Sequence, residues 1–571
     1  MLKRNTIIVV LATAAVVTAA VCSYSFFTPE NHSQENSNQT YLASIYNNKE
    51  AYQDIFSNLQ PAEETSAKAG VISHHFLAEQ LIADFYNQVA NDKISTVILL
   101  SPNHYNVFLP SGTVAYSSYL TWQTPLGNIG VNKEILDSLV KNNGVQINDS
   151  AMGLEHGIYI EVPFIKKFFP NAEIVPLVLK NNASEEDFIQ LGEKLKNISG
   201  ENSILIVSSD FSHEASFSEA KINDLESIAD LKNIENSSFE STTNDCKQCL
   251  IAMSAFLNDG KDYRFNLIDN KNSFDISGED SDSVTSYVSG FYAPYDFVQV
   301  LFVGDLMFDR GIRHYAELGG GNEFIFDKIS KELLNNDLVV ANLEGPITDN
   351  KSVSLGTAMG SADNYFFTFD PSVAKTLFQE NIGVVDLGNN HILNFGYAGL
   401  EQTKNYLDKA GVSYLGVPNG QRSVIKDVGG ITMAFVGYNE FLSSDLPAEQ
   451  KAVVDEIKRI KDGADIVVVF CHWGVEYAPQ PTEAQKELAH QFVDAGADLV
   501  IGSHPHVIQL SEEYNGKMIY YSLGNFIFDQ YFNENVRNGL GVVVKINKTT
   551  KQLQFNDVHF YLDSNGQTLL R

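Results

Sequence analysis

Two successive runs of alternating strand and helix patterns predict an α/β protein of two domains. Three observations carry that prediction. Apolar runs of strand length recur along the whole chain, segments of helical period fall between them, and the pattern restarts just after Pro294. At 571 residues the chain exceeds what one hydrophobic core sustains.

The first set of runs is "STVILLS" (95–101), "AEIVPLVL" (172–179) and "SILIVSS" (203–209), with "EEDFIQLGEKLKNI" reading as a helix between them. This alternation predicts a largely parallel sheet. The second set begins with "VQVLFVGD" (298–305) and continues through "DLVVANLEG" (337–345), "IGVVDLGNNH" (382–391), "ITMAFVGYN" (431–439), "ADIVVVFCHWG" (464–474), "ADLVIGSHPH" (497–506) and "KMIYYSLGNF" (517–526). Helices are expected at "FIFDKISKELLNN", at "YAGLEQTKNYLDKAG" with its C-terminal glycine, and at "TEAQKELAHQFVDAG" with Thr482 as N-cap.

Composition narrows the function. The chain is 44% hydrophobic and 19% charged, as globular proteins are, with 71 acidic against 39 basic residues and a net charge of -32. That balance excludes a general grip on nucleic-acid phosphates and suits cations. Lys3 and Arg4 precede an apolar run from Ile7 to Val21, which reads as a signal peptide or membrane anchor over residues 1–27. Residues 28–40 read as a polar tether, so the remainder is expected to be exported, membrane-anchored or extracellular. There are four cysteines. Cys246 and Cys249 are spaced for a local disulfide, and Cys471, ending an apolar strand, reads as a small core residue.

Chemistry-bearing residues stand at the carboxyl end of nearly every strand of the second set, the edge at which open α/β sheets bind ligands. They are Asp305, Asn342 and Glu344, Asn389, Asn390 and His391, His472, and the pair His504 and His506. Each alone is explained as a cap or turn residue. Together they form an oxygen and nitrogen set suited to Mn, Fe or Zn. Pro505 is expected to hold His504 extended, so that His504 and His506 project to one side. A two-metal centre activating a phosphoryl group is the chemistry this suits, with His391 placed to protonate a leaving group.

"GDLMFDR", "NLEGPIT", "GNNH", "CHWG", "GSHPH" and "SLGNF", in that order, resemble the CapA family of poly-γ-glutamate capsule synthesis proteins over residues 297–545. That family is similar to the calcineurin-like metallophosphoesterases, which implies a four-layer α/β/β/α sandwich over 297–571. The resemblance implies that Asp305 and His506 serve one metal, that Glu344 bridges, and that Asn390, His472 and His504 serve the other. His391 would be the proton donor, and Asn525 of "SLGNF" would line the pocket. Met307 stands where the superfamily has a histidine, and Glu344 where it has an aspartate, which leaves one metal under-coordinated and keeps a mononuclear site or altered chemistry open. Arg310 reads either as a clamp for a substrate carboxylate or phosphate or as a surface salt-bridge residue.

In the first domain, His74 and His75 follow "VIS", His104 follows "LLSPN", Asp210 and His213 lie in "SSDFSHE", and Glu155 and His156 in "GLEHG". Imidazoles with a nearby carboxylate make Fe, Cu or Zn sites. With "TWQTPLG" and "SVTSYVSGFYA", these segments resemble the Memo family over residues 41–293, known in bacteria as the AmmeMemoRadiSam system protein B. The family is similar to class III extradiol dioxygenases, which implies an α/β domain whose metal pocket is formed by His74, His104 and His213, with Asp210 beside it.

The functional expectation is an exported envelope protein. Its CapA-like domain would be a metal-dependent hydrolase or transferase acting on an envelope polymer or a phosphorylated small substrate, in contact with capsule synthase subunits. Two alternatives stand: a non-catalytic accessory or polymer-binding protein, and a redox non-haem metal centre in the Memo-like domain.

Overall fold

The computed structural model describes residues 41–571 except 63, 142–143, 235–238, 240 and 280. The expected signal or anchor (1–27) and tether (28–40) lie outside the described residues. Among the described residues no helix is long and apolar enough to cross a membrane. The chain divides into two units, Met1–Pro294 and Tyr295–Arg571.

The first unit is built on an eight-stranded sheet. Its centre is parallel: Ala69–Ile72, Ser203–Ser208, Thr96–Pro102 and Glu173–Leu179 lie side by side, every strand but its termini apolar and buried. The parallel expectation holds only there. Tyr263–Asn272 and Ser286–Pro294 pair antiparallel with each other, because the short Ser273–Ser277 helix joining them is too brief for a crossover, and Ser286–Pro294 pairs antiparallel with Ala69–Ile72. Ala115–Ser117 also runs antiparallel to Glu173–Leu179. The predicted helix forms over Glu185–Ser199 behind a capping box at Ser184. Cys246 and Cys249 are disulfide-bonded, and Cys471 in the second unit is a buried free thiol.

The second unit has two facing sheets. In the first, Ser413–Leu415, Ile382–Asp386, Leu338–Leu343 and Phe297–Leu306 run parallel, followed by antiparallel Asn538–Asn547, Leu553–Leu562 and Thr568–Leu570. In the second, Ile431–Asn439, Ile466–His472, Leu499–Ser503 and Lys517–Tyr520 are parallel, flanked by Ser423–Val428 and Ser511–Tyr514. Val300, Phe302, Val340 and Val384 of the first sheet pack on Phe435, Val468, Phe470 and Ile501 of the second. Helices cover each outer face. Ile312, Leu377, Leu400 and Leu407 bury against the first sheet, and Val453, Ile457, Leu488 and Phe492 against the second. The result is the α/β/β/α sandwich expected from the resemblance.

Helix Glu483–Ala495 starts at a Thr482 capping box, and Gly396–Ala410 ends at Gly411 with φ 81°. The single helix expected over 324–336 is instead two short ones, Glu323–Phe326 and Ser330–Leu334. The run "KMIYYSLGNF" is broken too. Lys517–Tyr520 belongs to the second sheet, and the chain crosses at Gly524 (φ 71°) so that Asn525–Ile527 pairs with Phe297–Leu306 of the first. The crossing requires glycine at Gly304, where a Cβ would meet the Gly524 carbonyl oxygen at 1.8 Å. It sets Asp305 in register with Asn525.

Candidate metal centres

Because the central strands of both sheets of the second unit are parallel, their carboxyl ends gather at one edge. Asp305 pairs in register with Asn342 and His472 with Ser503. The ligand atoms of Asp305, Glu344 and His506 lie within 4.8 Å of one another, all buried. His506 Nδ1 is 3.2 Å from Asp305 Oδ2, and its Nε2 is 3.5 Å from Glu344 Oε1. Beside this carboxylate-rich half sits a nitrogen-rich one. His472 Nε2 is 2.9 Å from Asn390 Oδ1 and 3.2 Å from His504 Nδ1. Asn342 links the halves, its Nδ2 donating to Asp305 Oδ1 at 2.8 Å and lying 3.3 Å from His472 Nδ1. Asn389 in turn donates to Asn342 Oδ1 and the Leu343 carbonyl. Asn525 Oδ1 lies 2.9 Å from His506 Nδ1, and its amide donates to Gln530 and the Val536 carbonyl. Asn389 and Asn525 therefore orient the groups around the cluster.

The two halves differ in charge. Burial, then Asp305, pushes the Glu344 carboxyl well above its usual range. Burial opposes a charge on His506, but Glu344 and Asp305 outweigh it and hold the imidazole up at about 9. Burial and neighbouring histidines instead lower His504 to about 3 and His472 well below its ordinary value. Glu344 Oε1 is buried without a hydrogen-bond partner, an arrangement that costs free energy unless a cation meets it. Buried carboxylates, neutral imidazoles and an amide oxygen fit a divalent ion of the Mn, Fe or Zn type.

"VIGSHPHV" reaches this geometry by a different route from the one expected. His504 is not extended: its φ is 92°, and that of His506 is 57°. Both occupy the left-handed region, which costs on the order of 1–3 kcal/mol per non-glycine residue. The chain must turn back over the end of Leu499–Ser503 to aim two rings inward. The Tyr477 amide donates to the Pro505 carbonyl at 2.8 Å and holds the turn. The two rings still converge, with centroids 6.0 Å apart.

His391 packs against Phe367 with the rings tilted by 34°, and its Nε2 lies 3.9 Å from Glu344 Oε1. Asn394 Oδ1 accepts from the Phe367 amide and lies 3.2 Å from His391 Nδ1. Nδ1 therefore carries the hydrogen, and Nε2 is the nitrogen turned toward the cluster. Burial lowers this imidazole to about 4. Met307 is buried in the core with its sulfur accepting from the Asp309 amide at 3.0 Å, so it offers nothing to the cluster.

Arg310 is a salt-bridge residue rather than a free clamp. Its guanidinium is bonded to Asp529 at 2.5 Å and to Asn364, between the rings of Phe367 and Phe528. Its charge is already matched, and it forms a wall of a cleft of about 750 Å³, together with His314, Tyr365, Tyr477 and Phe532. That volume suits a small-molecule or oligomer-end ligand. The Tyr477 ring lies 6.1 Å from His506, so the cleft opens beside the cluster.

In the first unit, His74, His104 and Asp210 follow adjacent parallel strands. The ligand atoms of His74, His104 and His156 lie within 4.8 Å of one another. His213, expected as the third ligand, is outside that group and about half exposed. His156 takes its place in the group, its ring 3.8 Å from that of His104. His104 Nδ1 is 2.5 Å from Glu155 Oε1, a carboxylate–imidazole contact that fixes the ring. Asp210 lies 3.8 Å from His74 Nε2 and accepts from Ser73. Burial works against charge on His74, yet Asp210 and Asp245 raise it to about 10. Asp245, passed over in the sequence, is the residue most of these groups share. Its only sequence signal is its position immediately before Cys246. His75 turns away, to Tyr287.

Comparison with known proteins agrees with this division. Residues 37–291 match the family model described as Memo-like protein, and residues 299–530 match Bacterial capsule synthesis protein PGA_cap. The PGA biosynthesis protein CapA of Bacillus subtilis is 34% identical over 41% of this chain and 64% of its own length, so the chain spans less than two thirds of that relative. A probable polyglutamine synthesis accessory protein of Mycobacterium tuberculosis is 28% identical over 41% of this chain and 75% of its own. A MEMO1 family protein of Thermoplasma volcanium is 28% identical over 36% of this chain and 76% of its own. The chain is a fusion of a Memo-like N-terminal domain with a CapA-like C-terminal domain.

Proposed function

We propose that the CapA-like domain is a divalent-metal-dependent hydrolase or transferase of phosphate esters, working in capsule or poly-γ-glutamate synthesis. The observation that carries this reading is the buried constellation of Asp305, Glu344 and His506 with His391 Nε2 facing Glu344 at 3.9 Å. Asp305, Glu344 and His506 would hold one ion, and Asn390, His472 and His504 a second. When bound, the metal supplies Lewis-acid polarisation of a phosphoryl oxygen and an acidified water. Asn342, Asn389 and Asn525 keep the ligands in place. The cleft beside Tyr477 and Phe532 receives the organic part of the substrate, and its aromatic walls exclude water. His391, neutral without substrate, gains proton affinity as an anionic phosphate arrives. Protonated then at Nε2 from solvent, it would pass that proton to the leaving oxygen and return to the neutral ring, its Nδ1–H still donating to Asn394 Oδ1. The partners under this reading are an envelope polymer or a phosphorylated small substrate and subunits of a capsule synthase. The N-terminal segment would export the protein, as a cleaved signal or a membrane anchor.

The full chain is expected to hydrolyse a generic phosphodiester or phosphomonoester with added Mn, and His391→Ala to lose that activity. A folded wild type without turnover under any divalent metal refutes the catalytic reading. It would leave the accessory, polymer-binding one, which is favoured by Met307 being turned into the core. In the Memo-like domain, His74, His104 and a third ligand would hold Fe, Cu or Zn, and a redox role would show as iron or copper that copurifies and cycles.

A further inference from the structure

The strongest unassigned feature is the carboxylate of Asp245. Its Oδ1 is held in place, accepting from the Ser209 hydroxyl at 2.6 Å and from the Asp210 amide at 3.2 Å. Its Oδ2 is buried and has no hydrogen-bond partner. Three imidazole nitrogens nonetheless surround that oxygen: His74 Nε2 at 3.2 Å, His104 Nε2 at 3.6 Å and His213 Nε2 at 3.7 Å.

His104 makes the chemistry specific. Its Nδ1 sits 2.5 Å from Glu155 Oε1, so Nδ1 carries the hydrogen in the neutral ring. Nε2 then faces a carboxylate oxygen at 3.6 Å, a contact that is favourable only with a proton or a metal ion between the two. His156 is the other candidate for third ligand, but its ring packs against that of His104, 3.8 Å between centroids and tilted by 34°. Asp245 lies outside the group that converges within 4.8 Å, but its Oδ2 faces both His74 Nε2 and His104 Nε2 directly.

We propose that Asp245 is the carboxylate ligand of the N-terminal centre and completes a two-histidine, one-carboxylate set with His74 and His104. His213, about half exposed, stands at the mouth. Such a set leaves coordination positions open and selects Fe(II) or a similar divalent ion over Cu(I), which prefers sulfur ligands. The inference rests on the reading of the histidine group as a metal site.

The test is metal content and Fe(II) affinity of the full chain under anaerobic conditions, for wild type, Asp245→Asn and His156→Ala. Asp245→Asn keeps the size of the side chain and can keep the Oδ1 acceptor. It is expected to lose one equivalent of metal and at least about 100-fold in affinity, and His156→Ala less than tenfold. Asp245→Cys gives a second readout that does not depend on affinity. With zinc bound, X-ray absorption should show a Zn–S distance of about 2.3 Å that wild type lacks. Asp245→Asn binding within about threefold of wild type, or no Zn–S contact in Asp245→Cys, overturns the assignment. A wild type from which His74→Ala and His104→Ala remove no metal refutes the metal site itself, a failure distinguishable from that of Asp245 alone.

Discussion

Both clusters draw ligands from the carboxyl ends of parallel strands, but in the Memo-like domain His156 opens a short helix instead, and the two donor sets differ. In the CapA-like domain the ligand group has two carboxylates and one imidazole, all fully or nearly fully buried. In the Memo-like domain imidazoles dominate, and the side chains of His104 and His156 are 23% and 31% exposed. A closed, oxygen-rich site suits a hard divalent ion. A more open, nitrogen-rich site suits Fe, Cu or Zn with positions left for a ligand. Strand-end placement therefore fixes where a site forms, and the mixture of donors fixes what it holds.

The comparison sharpens if the sites prove separable. Glu344→Gln is expected to have the largest effect, removing Mn-dependent turnover entirely while the metal of the first domain stays; elemental analysis beside an activity assay reads both. His391→Ala should reduce kcat by roughly 10²–10⁴-fold without changing metal content. Asn525→Ala touches no substrate and should weaken the C-terminal metal by about 10–100-fold, read by Mn titration.

The smallest effect concerns pH. Asp386 is buried, and burial raises its carboxyl to about 8, with the Gly388 amide hydrogen bond opposing and Asp305 adding to the rise. A carboxyl raised in the folded state contributes stability that is fully present below the unfolded pKa of about 4 and lost as pH climbs through about 8. Metal-free protein should thus be less stable at pH 9 than at pH 5. Asp386→Asn should flatten that dependence, with a gain on the order of 1–3 kcal/mol at pH 9. Chemical denaturation at the two pH values measures it.

Much of this was legible in the sequence. Continuous apolar runs located the parallel strands, and the polar residues ending them marked both sites, because the fold brings strand ends together whatever the loops do. What was not legible depended on partners distant in sequence. Arg310 could be read as a clamp or as half of a salt bridge, and its partner, Asp529, lies 219 residues on. Asp245 follows no strand and was hidden beside a cysteine pair that itself explained the segment. His504 was expected to be extended because a proline follows, but the turn over the strand end imposed a left-handed bend on both histidines. The break in "KMIYYSLGNF" came from a crossing between sheets, which hydrophobic periodicity does not register.

The most direct test of two distinct centres is metal analysis of the full chain as wild type, Glu344→Gln and His104→Ala. The account predicts that Glu344→Gln loses the Mn-type ion of the C-terminal cluster and keeps the N-terminal metal, and that His104→Ala does the reverse. If both substitutions leave metal content unchanged, or both remove the same ion, the account is contradicted.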